Sequence, residues 1–406
     1  MKSPLVGSDR YVSLTEEPIL FTSGSGYKVY DQNDKEYVDF ILGVGPVILG
    51  HALPEFNEYL MNALQKGISF PGFGAVHEQV AGLFENVYPE YKVVSLFKTS
   101  SEAVTASLRC AMLETGRKKF IRCGFLGWHD SQIAMTPRWH ERPGSRGREM
   151  LRYQNGMRGV VGDEKVFNWT DGDIDSLKNV LANHGHEIAL FGLDVYQLAF
   201  IPQDTVMQAI ELCRQYGIKI LIDETKTAGR VHVGGYLANT TVQADYIVLG
   251  KAIANGLPLS ILMGKPDLID VYRAARIGGT HTKETLSPYA AIAVAEIMRR
   301  HNGYQILADN CRSVTKTIND AIVQASAGAL LRAHSLFGDT MFDLYLGDQV
   351  VNDNMARKRL KQLLVAEGVL VMIGHCSFVC LAHQDLEHER LGHAIYTAVR
   401  GWQSMM

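Results

Sequence analysis

The sequence has no long apolar run, no excess of basic residues and few cysteines. No apolar stretch in its 406 residues approaches the roughly 20 that a membrane-spanning helix needs, and residues 1–10 lack the apolar core of a secretion signal. A formal net charge of −3 argues against a nucleic-acid-binding surface or a polybasic membrane anchor. The 6 cysteines are scattered without a CxxC pair, which is typical of thiols in a reducing compartment. We therefore expect a cytoplasmic protein that binds small molecules, and neither nucleic acid nor a membrane.

Short apolar, β-branched runs alternate with helix-length amphipathic segments through the middle of the chain. This alternation predicts an α/β fold with a mostly parallel sheet covered by helices. Glycines close two of the predicted helices, 102–114 at Gly116 and 205–216 at Gly217. The predicted strands are 93–97, 120–122, 188–193, 218–222, 246–249 and 260–263.

The length of the chain exceeds the usual limit of about 250–300 residues for one hydrophobic core. We predict a large domain over residues 61–290, an N-terminal segment over 1–60 and a C-terminal α+β domain over 291–406, with the two outer parts forming one smaller domain. The N-terminal segment should contain a hairpin of strands 27–31 and 36–40. The C-terminal part should begin with a long helix near Tyr289 and contain strands 341–346 and 377–382.

Two polar residues follow two of the predicted strands. Asp223 comes directly after strand 218–222, and Lys251 follows strand 246–249 and Gly250, 28 positions later. Ligands of open α/β sheets bind at the carboxyl ends of the strands, so both side chains should reach one crevice. Pyridoxal phosphate (PLP) chemistry requires such a pair: a lysine that forms a Schiff base with the cofactor and moves the substrate proton, and a carboxylate that keeps the pyridine nitrogen protonated. An aspartate met alone would more simply be a turn or N-cap residue, so the prediction depends on the pair.

Two further segments supply the rest of a cofactor site. Ser100 and Ser101 lie between strand 93–97 and a helix, where hydroxyls and free N–H groups favour a phosphate. The ordinary alternative is a serine N-cap with Glu102 in the first turn. Trp128 and His129 follow strand 120–122, which would bring a flat ring near the same crevice. The alternative for Trp128 is a residue of the hydrophobic core.

Taken together and in this order, these segments resemble the class III (fold type I) PLP-dependent aminotransferases, most closely the glutamate-1-semialdehyde aminomutase branch. The resemblance implies a large, mostly parallel seven-stranded sheet domain with helices on both faces and a smaller α+β domain. It also implies a homodimer in which Thr280 closes the phosphate site of the neighbouring subunit. The cofactor-binding residues that it implies are Ser100, Ser101, Trp128, His129, Asp223, Thr225, Lys251 and Thr280.

The sequence differs from the family pattern at positions that determine substrate specificity. Asp194 stands where a glutamate is usual, in a segment that also contains Gln197, and Lys226 stands where Gln or Met is usual. A lysine there could contact the cofactor's ring hydroxyl or a substrate carboxylate, although a solvent-facing lysine is the more ordinary expectation. His375 or a neighbour replaces a glutamate of the aminomutase branch, and Arg10 could hold a substrate carboxylate through two hydrogen bonds.

These observations predict an aminotransferase that moves an amino group from a donor to a keto or aldehyde acceptor through pyridoxamine phosphate. The same cofactor residues would serve an aminomutase or a racemase, and a non-catalytic PLP-fold binding protein is a further alternative. A P-loop is excluded because Ala252 follows Gly250-Lys251, and Gly24-Ser25-Gly26 continues as a hairpin rather than a dinucleotide-binding turn. His388-Glu389 lacks the second histidine of a zinc motif, because position 392 is glycine, so we predict no metal.

Overall fold

The structure, a computed structural model, describes residues 11–12, 14, 17–129, 166–169, 172–238, 240 and 242–406. The chain divides into two compact units. The larger unit is Tyr59–Ala295, and the smaller unit combines Met1–Glu58 with Glu296–Met406. Among the described residues, no helix is both long and apolar enough to cross a membrane.

Strands and helices are numbered here in chain order over the described residues. The strands are β1 Phe21–Ser25, β2 Lys28–Asp31, β3 Glu36–Asp39, β4 Lys92–Phe97, β5 Lys119–Cys123, β6 Val166–Asn168, β7 Ile188–Asp194, β8 Lys219–Asp223, β9 Tyr246–Gly250, β10 Ser260–Gly264, β11 Leu331–Leu336, β12 Met341–Leu346, β13 Val369–Leu370 and β14 Cys376–Phe378. The helices are α1 Pro54–Leu64, α2 Ala75–Val87, α3 Ser100–Thr115, α4 Ile174–His184, α5 Gln203–Gln215, α6 Ile269–Ala275, α7 Leu286–Arg300, α8 Gly303–Gln324, α9 Asn354–Ala366 and α10 His388–Gln403.

The larger unit is built on a seven-stranded sheet, counted over the described residues, with the order β4-β10-β9-β8-β7-β5-β6. All neighbouring strands are parallel except β10, which is antiparallel to both β4 and β9. Every residue of β7, β9 and β10 is buried, as expected of central strands covered on both faces. The predicted α/β fold with a mostly parallel sheet is therefore confirmed.

Helix α3 packs its apolar face into the core of this sheet. Val104 and Leu108 of the helix share one hydrophobic cluster with Leu190, Leu221 and Val248 of the central strands. Burial of side chains of this size stabilises the fold by roughly 1.5–3 kcal/mol each. The core therefore fixes where α3 begins relative to the ends of the strands, and the candidate site lies there.

The smaller unit contains a four-stranded sheet, β1-β2-β3-β13, and a three-stranded sheet, β11-β12-β14. The hairpin of β2 and β3 and the strand at 341–346 agree with the sequence predictions. The strand predicted at 377–382 is wrong beyond Phe378, because the chain turns into a 3-10 helix at Leu381–Asp385. Nδ1 of His383 accepts a hydrogen bond from the backbone N–H of Cys380, which stabilises the turn instead of a longer strand.

Candidate active site

The carboxyl ends of the strands that precede the predicted site residues lie at one edge of the seven-stranded sheet. Strands β5, β7, β8 and β9 are parallel, so they all end at this edge. Ser260 at the start of β10 pairs with both Phe97 and Gly250, the last residues of β4 and β9, so β4 ends there too. The segments after these five strands carry most of the predicted site residues.

Asp223 ends β8 and is almost fully buried, with 5% of its surface exposed. Its Oδ1 accepts hydrogen bonds from the backbone N–H of Thr225, at 2.9 Å, and from the Thr225 hydroxyl. Within the described part of the chain, Oδ2 accepts no hydrogen bond. Burial, aided by the nearby Asp194 carboxylate, raises the pKa of Asp223 to about 6, while Thr225 and Lys226 act in the opposite direction. Asp223 is thus a buried carboxylate at neutral pH with one oxygen available to a cationic ligand.

Lys251 follows β9 and opens a short 3-10 turn, Lys251–Ala254. Its φ of +52° places it in the left-handed region, which is uncommon for a residue with a side chain and is found at functional sites. A Cβ at the preceding Gly250 would lie 2.3 Å from Ser100 Oγ and 3.5 Å from Thr225 Cγ2. A side chain at 250 would therefore displace the Ser100 hydroxyl, and the segments that follow β4, β8 and β9 meet next to Lys251.

The start of α3 follows β4 directly. Thr99 is the N-cap: its hydroxyl accepts from the Glu102 N–H at 3.4 Å, and Glu102 Oε2 accepts from the Thr99 N–H at 2.8 Å. The serine N-cap considered from the sequence is therefore wrong. Ser100 and Ser101 occupy the first two helical positions, so capping does not use their hydroxyls. With the positive end of a 16-residue helix, they form a site suited to a phosphate.

Trp128 and His129 lie on the loop after β5, which contacts the start of α3. Trp128 donates its backbone N–H to Ser101 Oγ at 3.2 Å, and His129 Nδ1 is 2.9 Å from the Thr105 hydroxyl. A Cβ at Gly127, whose φ is +108°, would lie 2.7 Å from Ser101 Oγ, so this close approach requires glycine. The Trp128 side chain is 63% exposed, which contradicts the alternative of a core tryptophan.

Asp194 and Lys226 form a buried ion pair beside Asp223. Lys226 Nζ lies 2.5 Å from Asp194 Oδ2, and the residues are only 5% and 2% exposed, respectively. The expectation that Lys226 faces solvent is wrong, because the carboxylate at the end of the neighbouring strand β7 draws the amine inward. Gln197 is buried nearby in the 3-10 turn Val195–Ala199 that follows β7.

Three other predicted site residues are not tested by the structure. Thr280 is exposed at the start of a 3-10 turn, Thr280–Lys283, in the larger unit. His375 belongs to the smaller unit, where its Nδ1 lies 3.1 Å from the Cys376 carbonyl oxygen. Arg10 lies outside the described residues. The roles of these three residues stay predictions.

Glu224 is a structural residue of the site for which the sequence suggested no role. It is fully buried and accepts hydrogen bonds from the Thr227 hydroxyl and from the backbone N–H groups of Tyr236 and Leu237, at 2.9 and 2.8 Å. Burial raises the pKa of Glu224 to about 7. Its position directly after Asp223 was visible in the sequence, but partners 12 and 13 residues away were not.

The groups at this edge fit PLP. Asp223 is a buried carboxylate whose Oδ2 is suited to a protonated pyridine nitrogen, and Lys251 offers a primary amine after the adjacent strand. The hydroxyls and N–H groups at the start of α3 suit the phosphate. The exposed ring of Trp128 offers a flat apolar surface in the same region.

Comparison with known proteins agrees with this chemistry. The chain is 25% identical over 385 residues to the 3-aminobutyryl-CoA aminotransferase of Cloacimonas acidaminovorans, covering 91% of this chain and 86% of that protein. It is also 25% identical over 405 residues to the glutamate-1-semialdehyde 2,1-aminomutase of Thermodesulfovibrio yellowstonii, covering 93% and 91%. A solved transaminase with PLP bound has the same fold, with a TM-score of 0.83 at 19% identity over 100% of this chain and 96% of that one. The sequence profile of the class-III aminotransferases matches residues 11–375, so the chain belongs to the class-III aminotransferase family, whose enzymes use pyridoxal phosphate.

Proposed function

We propose that this protein transfers an amino group between an amino donor and a keto or aldehyde acceptor, with PLP linked to Lys251 Nζ and its ring nitrogen held by Asp223. The observation that carries the proposal is the buried Asp223, whose Oδ2 is available for a ligand at the sheet edge where β9 leads into Lys251. When bound, PLP supplies an electron sink that stabilises the negative charge left on the substrate carbon.

The chain's own residues position the cofactor and move the proton. Asp223 is ionised at neutral pH and holds the positive charge on the ring nitrogen. The start of α3, with Ser100 and Ser101, binds the phosphate dianion, and Trp128 covers one face of the ring. Once the substrate amine had replaced it on the cofactor, the free Lys251 Nζ would accept a proton from the substrate carbon and donate it again, and water would then release the keto product to complete the first half of the transfer.

The test is a comparison of the purified protein with Lys251→Ala, with the exposed Lys316→Ala as a matched control. Wild type and the control should show visible absorbance from bound cofactor, and borohydride should fix the cofactor on the peptide that contains Lys251. The Lys251→Ala variant should show neither the covalent link nor turnover of any donor. Turnover by Lys251→Ala at the wild-type rate would disprove the assignment. Loss of turnover would also argue against a non-catalytic binding protein.

An aminomutase is the second candidate, because curated relatives with that name match more than 90% of the chain. An aminotransferase releases the keto product of the donor and keeps the amine as pyridoxamine phosphate. An aminomutase returns the amine to a different carbon of the same skeleton, whereas a racemase leaves the amine in place and returns the proton to the opposite face of the same carbon. A donor screen without acceptor, read by the absorbance of pyridoxamine phosphate and by chiral analysis of the amino acid, separates the three.

We also propose that the protein is a homodimer in which Thr280 reaches the phosphate site of the partner subunit. Five large apolar side chains between 42% and 60% exposed lie close together in sequence in the larger unit: Met61, Leu64, Ile68, Phe70 and Phe73. The segment 61–73, which carries these side chains, contacts the chain just after Thr280, because Thr285 donates its N–H to the Ile68 carbonyl at 3.0 Å. Lys283 Nζ donates to the Pro71 carbonyl at 2.8 Å. Clustered exposed apolar side chains beside a polar residue are typical of a subunit interface.

Hybrid dimers test whether the threonine acts across the interface. Thr280→Ala should weaken PLP binding in its own homodimer. In a hybrid with Lys251→Ala chains, the Thr280→Ala chain keeps Lys251 and receives an intact Thr280 from its partner, so its PLP binding should return to the wild-type level. No recovery in the hybrid would mean that Thr280 acts within its own chain or not at all.

A cytoplasmic location is the last part of the proposal. All 6 cysteines are buried thiols in the structure, as is usual in a reducing compartment. Cell fractionation followed by a thiol count on the denatured protein should find the chain in the cytoplasmic fraction with 6 reactive thiols.

A further inference from the structure

Asp194 and Asp223 are direct neighbours at the ends of two parallel strands. They are register partners in the pairing of β7 with β8. Adjacent strands are separated by about 4.8 Å, and register partners project to the same face of a sheet. Both carboxylates are almost fully buried. Without a compensating charge, two buried carboxylates at this spacing would share one proton, and neither would be reliably ionised at neutral pH.

Lys226 supplies the compensating charge. Its Nζ is 2.5 Å from Asp194 Oδ2, and Oδ1 of Asp194 accepts the N–H of Tyr196 at 3.1 Å. The ammonium group also lies 5.1 Å from the centre of the Tyr196 ring and 5.8 Å from that of Phe125, where the aromatic faces favour a cation. In the described part of the chain, Asp194 provides the one carboxylate that Lys226 contacts. The pair is therefore close to neutral as a unit.

We propose that Lys226 and Asp194 are a charge-balanced positioning pair, which leaves Asp223 as the single uncompensated carboxylate that faces the ring nitrogen of the cofactor. This inference rests on the proposed function, because it assumes that Asp223 binds that nitrogen. It assigns Lys226 a role other than contact with a substrate carboxylate. The amine acts through Asp194 and the electrostatics of Asp223, so Lys226 is a positioning residue rather than a catalytic one.

The two members of the pair act on Asp223 in opposite directions. The Asp194 carboxylate raises the pKa of Asp223, and the Lys226 ammonium lowers it. Two other ionisable groups are close in the chain or sheet: Glu224, whose oxygens accept hydrogen bonds from Tyr236 and Leu237, and Lys251 after the adjacent strand β9. Both remain in place when the pair is changed, so a change in Asp223 can be traced to Asp194 or Lys226.

The test measures the dissociation constant of PLP from the full-length protein between pH 5.5 and pH 9 by absorbance titration. In Lys226→Met, the two carboxylates share a proton, so the midpoint of the affinity profile should move up by about one pH unit and affinity at pH 6.5 should fall about tenfold. In Asp194→Asn, the ammonium loses its counter-charge and competes for Asp223. This variant should bind PLP more weakly across the range, without the upward shift.

The double variant Asp194→Asn with Lys226→Met removes both charges and serves as the rescue. It should bind PLP within about threefold of wild type with the wild-type midpoint, since a pair with no net charge has been replaced by neutral groups. It also keeps the proposal testable if either single variant does not fold, because neither Asp194 nor Lys226 is left as an unpaired buried charge. A purely structural role would change the midpoint of urea unfolding in the single variants but not the pH profile of PLP binding.

Two results would contradict the proposed role of the Lys226–Asp194 pair. The first is a wild-type pH profile in Lys226→Met, and the second is a double variant that binds as weakly as the sum of the single effects. Asp223→Asn separates this failure from failure of the proposed function. If Asp223→Asn binds PLP as well as wild type, Asp223 does not hold the ring nitrogen. If it loses PLP while Lys226→Met does not, only the role of the pair is wrong.

Discussion

The acidic half of the candidate site (Asp194, Asp223 and Lys226) is buried, whereas its open half (Ser100 and Trp128) is partly or largely exposed. The acidic half follows two central strands, and its three side chains are each no more than 5% exposed. In the open half, Trp128 is 63% exposed, and Ser100 is partly exposed.

Burial determines which property a substitution in each half should alter. Folding must fix the charges of the acidic half, because an unpaired buried charge costs several kcal/mol. Changes there should alter both stability and catalysis. Residues of the open half contribute little to the folded state of one chain, so changes there should alter ligand binding and leave unfolding nearly unchanged.

The largest effect should come from Asp223→Asn, which should lower activity while it stabilises the cofactor-free protein. Loss of the charge opposite the ring nitrogen should reduce kcat/KM by about 10²–10³. The pKa of Asp223 is raised to about 6 from 3.8, so the ionised carboxylate costs the folded state free energy above pH 6, and this cost vanishes as the pH falls toward 4. At pH 8 the variant should be about 1–3 kcal/mol more stable.

Urea unfolding of the cofactor-free proteins at pH 8 and pH 4.5 measures this difference, with the exposed Asp348→Asn as the control. The stabilisation should be clear at pH 8 and small at pH 4.5. Equal stability of wild type and Asp223→Asn at both values would show that the folded protein does not hold a costly carboxylate at 223. In that case, the expected difference between the acidic half and the open half would not hold for Asp223, the residue with the largest expected effect.

Much of the sheet edge could be predicted because buried strands leave a clear local pattern. The strand predicted at 188–193 ends at Asp194 in the structure, and those at 218–222 and 246–249 each extend by one residue to Asp223 and Gly250. Apolar runs bounded by polar residues or glycine identify such strand ends without knowledge of any partner. The order of the strands and the antiparallel β10 were not available from the same pattern.

Other features could not be predicted from the sequence. They depend on contacts between residues far apart in the chain, on a choice between adjacent residues of similar chemistry, or on segments too short to give a pattern. The burial of Lys226 depends on Asp194, which is 32 residues away. Three consecutive hydroxyl residues at 99–101 can each cap a helix, and only the packing of α3 selects Thr99. Strand β6 has three residues, too few for a periodic signal.

A smaller effect is expected from Trp128→Ala in the open half. Loss of a stacked ring should weaken PLP binding about three- to tenfold, whereas the free energy of unfolding of the cofactor-free protein should change by less than about 0.5 kcal/mol. Trp128→Phe should retain most of the affinity. The buried Trp402 provides the contrast, because Trp402→Ala should cost about 3–5 kcal/mol of stability. A large loss of stability in Trp128→Ala would mean that the exposed ring supports the fold.

The smallest effect should come from Thr99→Ala. Thr99 is the N-cap of α3, directly before Ser100 of the open half. The Thr99 hydroxyl accepts the Glu102 N–H, and its loss should cost about 1 kcal/mol of unfolding free energy. Thr99→Ser keeps an equivalent oxygen and should be nearly neutral. Ser100→Ala should show the reverse pattern, with little change in stability and weaker PLP binding, because its hydroxyl does not cap the helix. Urea unfolding and PLP titration of the three variants test this division. If Ser100→Ala loses more stability than Thr99→Ala, the serine supports the helix, and the phosphate role proposed for it loses its basis.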